Sequence, residues 1–264
     1  MDLFRADYAP GVKLYVKRVF ITDDEKELLP VYLRFVRGII DSEDLPLNVS
    51  REILQQNKVL AKIKTNSVKK ILSEISDFAK DAEKYAEFYR EFGRPIKEGL
   101  YQDFENREAL MNLVRFKSTK ADGFTSLADY VSRMQSGQKS IYYITGTNET
   151  SLRNSPLLEM YRDKDIEVLV MDDEIDEIII PTVGKFKDFE LKSVNRSDAA
   201  DELKNEEDKK EEKAIEPLVA RIKTVLGEKV KDVKASVRLS GSPSCVTADS
   251  NDPTAQMQAL LKAM

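Results

Sequence analysis

The alternation of apolar and polar positions begins early. Lys13 to Thr22, KLYVKRVFIT, sets Leu14, Val16 and Arg18 against Tyr15, Lys17 and Val19, and its β-branched and aromatic content predicts a strand. Leu28 to Asp41 carries Leu29, Leu33, Val36 and Ile40 at helical spacing, so a helix is expected there, with Pro30 tolerated in its first turn. A short extended segment, Leu45-Pro46-Leu47-Asn48-Val49, follows, held extended by Pro46. From Arg51 to Phe116 the period is almost wholly helical. Ile53, Leu54, Val59, Leu60 and Ile63 recur on one face, then Val68, Ile71, Leu72, Ile75 and Phe78, then Tyr85, Phe88, Tyr89 and Phe92. Gly93 is expected to stop that last helix, Pro95 to start a short one, and Arg107 to Phe116 to form another. The aromatic group fits either core packing or a binding stripe, and core packing is the ordinary role of such a group.

The second half alternates strands and helices. A helix is expected from Thr125 to Met134, a strand at Lys139–Thr145, a helix at Ser155–Asp163 with Pro156 at its first position, and a strand at Ile166–Met171. That last run, IEVLVM, is apolar at every position but Glu167, as suits a strand covered on both faces. Ile178, Ile179 and Ile180 stand in a row, and Lys187 to Val194 predicts a further strand. Asn195 to Lys213 then changes character. Ser197–Lys213 holds eight acidic and four basic residues and no aromatic, which fits a solvated linker or an exposed helix. Leu218, Val219, Ile222, Val225 and Leu226 mark an amphipathic helix stopped by Gly227. Strands are expected at Val230–Leu239 and Ser244–Thr247, and Pro253 opens a final helix bearing Met257, Leu260, Leu261 and Met264. The helix is cut at a hydrophobic residue with no cap, which is the pattern of a chain that continues. The whole pattern predicts an α/β (α+β) fold: two α/β units joined by a coil of small helices, followed by a partial α+β domain.

Composition narrows the chemistry. A chain of 264 residues with 41% hydrophobic and 34% charged residues can bury a core under a heavily charged surface. The net charge of −5, with both signs interspersed, gives no basic field for nucleic acid. No apolar run approaches the roughly 18 residues of a membrane span, and MDLFRADYAPG lacks the apolar core of a signal peptide. With no histidine and one cysteine, a His/Cys zinc site and a Ser–His–Asp triad are both excluded, and no metal ligand set is expected. No GxxxxGK or GxGxxG phosphate loop is present. The lone Cys245 fits a reducing cytoplasm.

One stretch concentrates hydrogen-bond donors. In DLPLNVSREILQQN, Asp44 to Asn57, Ser50 is an N-cap candidate, Arg51 falls in the first helical turn, and Gln55 lies over the same face. Helix N–H groups, a guanidinium and an amide suit an anion such as phosphate, although an Arg there is as readily a solvated surface residue.

LYVKRVFITDD (Leu14–Asp24), LPVYLRFVRGIIDSEDLPLNVSREILQQN (Leu29–Asn57) and YVSRMQSGQKSIYYITG (Tyr130–Gly146) together resemble the 90-kilodalton heat-shock chaperone family, closest to its bacterial branch, high-temperature protein G. The resemblance covers nearly the whole chain. It implies most of a middle domain, 1–196, made of the end of a first α/β unit (1–60), a helical coil (61–124) and a smaller α/β unit (125–194). A charged linker or exposed helix, 197–213, and the start of a carboxy-terminal dimerisation domain, 214–264, would follow. It also implies an ATP-dependent chaperone of the cytoplasm that binds and remodels partly folded client proteins. Arg51 and Gln55 match the residues that reach the γ-phosphate of ATP held with magnesium in an amino-terminal domain that has no counterpart here. No ATP hydrolysis, and no bound ATP or magnesium, is therefore expected of this chain alone.

Client-binding residues implied by the same resemblance are Glu177 and Ile178 in EIDEIII (Glu174–Ile180), and Met257, Leu260 and Leu261 in the last helix. Ordinary core is the competing role for each. Cys245, in SPSCVT, lies near a position used as a redox switch in eukaryotic relatives, and a buried inert thiol is the alternative. Homodimerisation belongs to helices beyond the region matched, so a monomer is expected here. Two rival functions remain at this point, a non-catalytic protein-binding scaffold and a stand-alone phosphate-binding enzyme. The lack of a complete catalytic set counts against the second.

Overall fold

The computed structural model describes residues 11–23, 28–46, 57–249, 252–254, 257–258 and 261–262. The chain forms two compact units, 1–115 with 126–128, and 116–125 with 129–264. The fold is α+β.

In the first unit, β1 (Val12–Val16) and β2 (Val19–Thr22) form an antiparallel hairpin. The single strand expected at 13–22 is therefore two. Lys17 and Arg18 both take positive φ, 52° and 66°, in the two-residue turn whose twist matches the strands it joins. β3 (Gly38–Ser42) pairs parallel to β1, giving the order β2-β1-β3. Val12, Leu14 and Val16 face a core shared with Leu28, Leu45 and Leu60.

The helix expected from Leu28 to Asp41 is absent. Only Val31–Leu33 turns, as a 3-10 segment, and the rest becomes β3. The β-branched pair Ile39 and Ile40 meets a free edge of β1, and parallel pairing satisfies its backbone. Leu29 and Ile40 still reach the core, so the apolar positions that suggested a helix are buried by another route.

Helix α1 (Lys58–Phe78) is capped by Asn57, whose Oδ1 accepts from the N–H of Val59 at 2.8 Å. Helix α2 (Ala82–Gln102) begins at the Asp81 cap and runs straight through Gly93 and Pro95. The predicted stop at Gly93 fails for a packing reason. A Cβ there would lie 2.7 Å from the Tyr89 ring, so glycine serves the aromatic packing rather than a cap. Tyr85 and Tyr89 are buried, and Phe35 stacks on Phe92 with centroids 4.7 Å apart. The two tyrosines are core, and Phe88 and Phe92 pack half-buried against Phe35. Helix α3 (Arg107–Leu113) ends earlier than expected, because Arg115–Ser118 is strand β4.

The second unit is built on a six-stranded sheet of order β5-β4-β7-β6-β9-β8. Its remaining strands are β5 (Thr125–Ser126), β6 (Ser140–Thr145), β7 (Val168–Met171), β8 (Lys185–Phe186) and β9 (Phe189–Ser193). Thr125 and Ser126 pair as a strand, so α4 (Leu127–Arg133) starts later than predicted. β6 runs parallel to both β7 and β9, and all its residues are buried. α5 (Glu149–Arg153), a 3-10 turn at Pro156–Leu158 and α6 (Glu159–Asp163) cross between β6 and β7. They cover a core of Tyr142, Ile144, Leu152, Leu158, Tyr161 and Val168.

Beyond β9, α8 (Glu206–Ala214) carries a capping box of Asn205 and Asp208 and buries no side chain. Within the charged stretch 197–213 only residues 206–213 form this exposed helix, whereas Ala199 and Ala200 are buried and Leu203, in a 3-10 turn, packs on the core. α9 (Glu216–Leu226) ends at Gly227, φ 52°, and leaves Leu218, Ile222 and Val225 exposed. The strands expected at Val230–Leu239 and Ser244–Thr247 are absent among the described residues, where an isolated bridge joins Arg196 to Ala248. Side chains take over backbone groups that a sheet would have paired. Glu212 accepts from the Val237 N–H at 3.3 Å, and Glu159 accepts from those of Ser240 to Ser242.

Candidate functional site

α7 (Glu174–Val183) follows β7 directly, capped by Asp173 and ended by Gly184 at φ 73°. It buries Ile175, Asp176, Glu177, Ile179 and Ile180 and leaves Ile178 half-buried. Glu177, 5% exposed, accepts a hydrogen bond from the hydroxyl of Thr254, which is 4% exposed. The same Thr254 Oγ1 accepts from the Met257 N–H at 3.1 Å, as an N-cap does, and the Thr254 carbonyl accepts from the Gln258 N–H at 2.9 Å. Met257 is half-buried and Leu261 is 60% exposed on the helical residues that follow.

The segment leading to Thr254 is laid along the ends of β6 and β9. Ala248 exchanges backbone hydrogen bonds with Asn195 and Ser197, at 3.0 and 2.9 Å. The Arg196 guanidinium donates to the carbonyls of Asp249 and Asp252, both at 2.9 Å, while Lys231 bridges the two carboxylates at 3.3 and 2.7 Å. Asn195 is fixed in turn by Thr145, whose N–H donates to its Oδ1 at 3.1 Å. Beneath them, burial and the nearby Glu177 carboxylate push the Tyr143 phenol above its ordinary range, against the opposing Arg196 charge.

Farther back, the buried Arg238 donates to the carbonyls of Val194, Arg196 and Ser197. Glu159 holds the turn at Ser240–Ser242. Cys245 is exposed, not buried as the inert-thiol alternative required. Partial burial pushes its thiol pKa up from the ordinary 9.0, opposed by Arg238 and reinforced by Glu159.

Residues 1–264 match the family model described as Hsp90 protein. The chain belongs to the Hsp90 family. Similar curated relatives include the Chaperone protein HtpG of Treponema denticola, 62% identical over 100% of this chain and 42% of that protein. That of Aliarcobacter butzleri is 60% identical over 98% of this chain and 41% of that protein. That of Treponema pallidum is 57% identical over 99% and 42%. The chain thus spans about two fifths of the length of the Hsp90 relatives it matches.

Of the site residues expected from the sequence, Arg51, Gln55 and Leu260 lie outside the described residues. Thr254 links Glu177 on α7 to the N–H of Met257; Ile178 adjoins Glu177 on α7, and Leu261 lies in the helical residues 261–262. Glu177 is an internal anchor there, whereas Ile178, Met257 and Leu261 keep apolar surface accessible. Sequence reasoning missed Thr254 and Arg196. A threonine just ahead of an amphipathic run is a capping signal and could have marked the first, but nothing local marks the second. Among the described residues no acidic, His or Cys cluster could hold a metal ion, and no helix is long and apolar enough to cross a membrane.

Proposed function

We propose that this chain is the middle and early carboxy-terminal part of an ATP-dependent chaperone that binds partly folded client proteins in the cytoplasm. The observation that carries this reading is the match of all 264 residues to the Hsp90 family, with relatives more than half identical that are named chaperone proteins. In this reading ATP and magnesium are held by an amino-terminal domain of the full-length protein. Arg51 and Gln55 reach the γ-phosphate from this chain, the guanidinium offsetting negative charge that develops on the transferred group. Clients contact the accessible apolar atoms of Ile178, Met257 and Leu261, together with Leu260, the neighbour of Leu261 in sequence. The half-buried, flexible Met257 suits a surface that must accept many sequences. Residues 197–213 act as the connection between the middle and carboxy-terminal parts, and the full-length protein works as a homodimer.

The test is made in the full-length protein. Arg51→Ala is expected to lower ATP turnover by up to ~10³-fold with the fold intact. Wild-type turnover in that variant removes Arg51 from the reaction. Leu261→Asp is expected to weaken capture of a permanently unfolded polypeptide while leaving unstimulated ATP turnover unchanged.

A further inference from the structure

We propose that Thr254 is a positioning residue that couples α7 to the last helix, so that Ile178, Met257 and Leu261 act as one client-contact surface instead of two independent ones. The inference rests on the reading of that surface as client-binding.

The geometry of one hydroxyl carries it. Thr254 is almost fully buried, and both functions of its Oγ1 are used. Its proton goes to Glu177 on α7, and its lone pair takes the Met257 N–H at 3.1 Å. Donation to a carboxylate polarises the oxygen and makes it a better acceptor, so the two bonds reinforce each other. Glu177 is itself buried, and among the described residues Thr254 is the group that donates to it. Loss of that donor leaves a buried carboxylate short of a partner, an expensive state that favours movement of either element.

Thr254 is also well placed along the chain. Upstream, Arg196, just past the end of β9, holds the carbonyls of Asp249 and Asp252, and Lys231 bridges their carboxylates. Downstream, Leu261 is exposed. Thr254 is therefore the last of these fixed points before the residues that carry the apolar surface. A β-branched side chain with restricted rotamers suits a fixed point better than serine would, but the hydroxyl is the part that makes the link.

Thr254→Val keeps the shape and removes both hydrogen bonds, whereas Thr254→Ser keeps both. Binding of fluorescent, reduced and carboxymethylated α-lactalbumin to the full-length protein is measured together with amide exchange at Met257 and Gln258. Thr254→Val is expected to weaken binding roughly tenfold, the equivalent of one charge-assisted hydrogen bond, and to speed exchange at Met257. Thr254→Ser restores both. If Thr254→Val binds like wild type while Leu261→Asp does not, the coupling is wrong and the client reading stands.

If wild type itself does not bind the probe, the client reading fails, and exchange alone decides the coupling. The effect of Thr254→Val at Met257 is then compared with its effect in a Glu177→Ala background. An unchanged effect makes Thr254 a simple helix cap and overturns the proposal. An effect lost in that background upholds the link between the two elements.

Discussion

Glu159 and Ser242 are joined across the second unit by a 2.5 Å hydrogen bond, and the other carboxylate oxygen of Glu159 accepts the backbone N–H groups of Ser240, Gly241 and Ser242 at 2.7, 2.8 and 3.2 Å. This carboxylate closes the irregular segment onto α6. The Ser242 hydroxyl first, and then the backbone donors, hold its pKa at about 2 against an ordinary 4.5. The folded-state value is depressed, so the contribution is complete above pH 4.5 and is lost as pH falls towards 2. Stability of wild type should fall through this window more steeply than that of Glu159→Gln. Equal acid limbs in urea titrations of the two proteins would show that the clasp adds nothing to the fold.

Arg34 forks Glu98 with bonds of 2.5 and 3.0 Å, and Glu98 is fully buried. Removing the cation leaves an uncompensated charge in the core, whereas removing both partners does not. Arg34→Ala should therefore cost about 3 kcal/mol or more, and Arg34→Met with Glu98→Leu considerably less. Urea unfolding of the three proteins measures it. A double variant as damaged as the single one would mean that the pair matters for packing and not for charge.

The elements that were legible in the sequence are those whose pattern admits one geometry. VLVM, Val168–Met171, is apolar at every position and becomes β7, buried on both faces between β4 and β6. The periodic stretches after Asn57 become α1 and α2 because their length excludes a strand. Leu28 to Asp41 misled because Leu29, Leu33, Val36 and Ile40 satisfy the helical period by coincidence, while the decisive factor, an open edge on β1, is a tertiary fact. Val230–Leu239 misled in the opposite way, since its alternation finds no partner strand among the described residues. The site residues are harder still. Glu177 and Thr254 meet across 77 positions, and neither side chain's neighbourhood hints at the other.

Gly93 offers a direct check of the packing account of α2. In an exposed helix interior, glycine to alanine is worth about 1 kcal/mol of added stability. Here the new methyl would sit 2.7 to 2.8 Å from three atoms of the Tyr89 ring. That ring is buried, so it cannot swing into solvent. Overpacking of this kind costs roughly 1–3 kcal/mol, and Gly93→Ala should be net destabilising. A raised thermal midpoint would show that the ring yields freely. Pairing Gly93→Ala with Tyr89→Leu should recover much of the loss.

Cys245 separates accessibility from reactivity. The residue is exposed, so a reagent can reach it. Partial burial of the thiol pushes its pKa above the ordinary 9.0, Glu159 adds to the rise, and the Arg238 guanidinium opposes it. The thiolate is the nucleophile, and it is therefore scarce at neutral pH. Iodoacetamide should modify Cys245 slowly at pH 7, more slowly than a free cysteine peptide. The rate should climb with pH to a midpoint above 9.0. An oxidative switch needs an accessible thiol with a depressed pKa, and Cys245 meets the first condition and fails the second. Fast alkylation at pH 7, with a midpoint well below that of the peptide, would overturn this and make Arg238 the dominant influence on the sulfur.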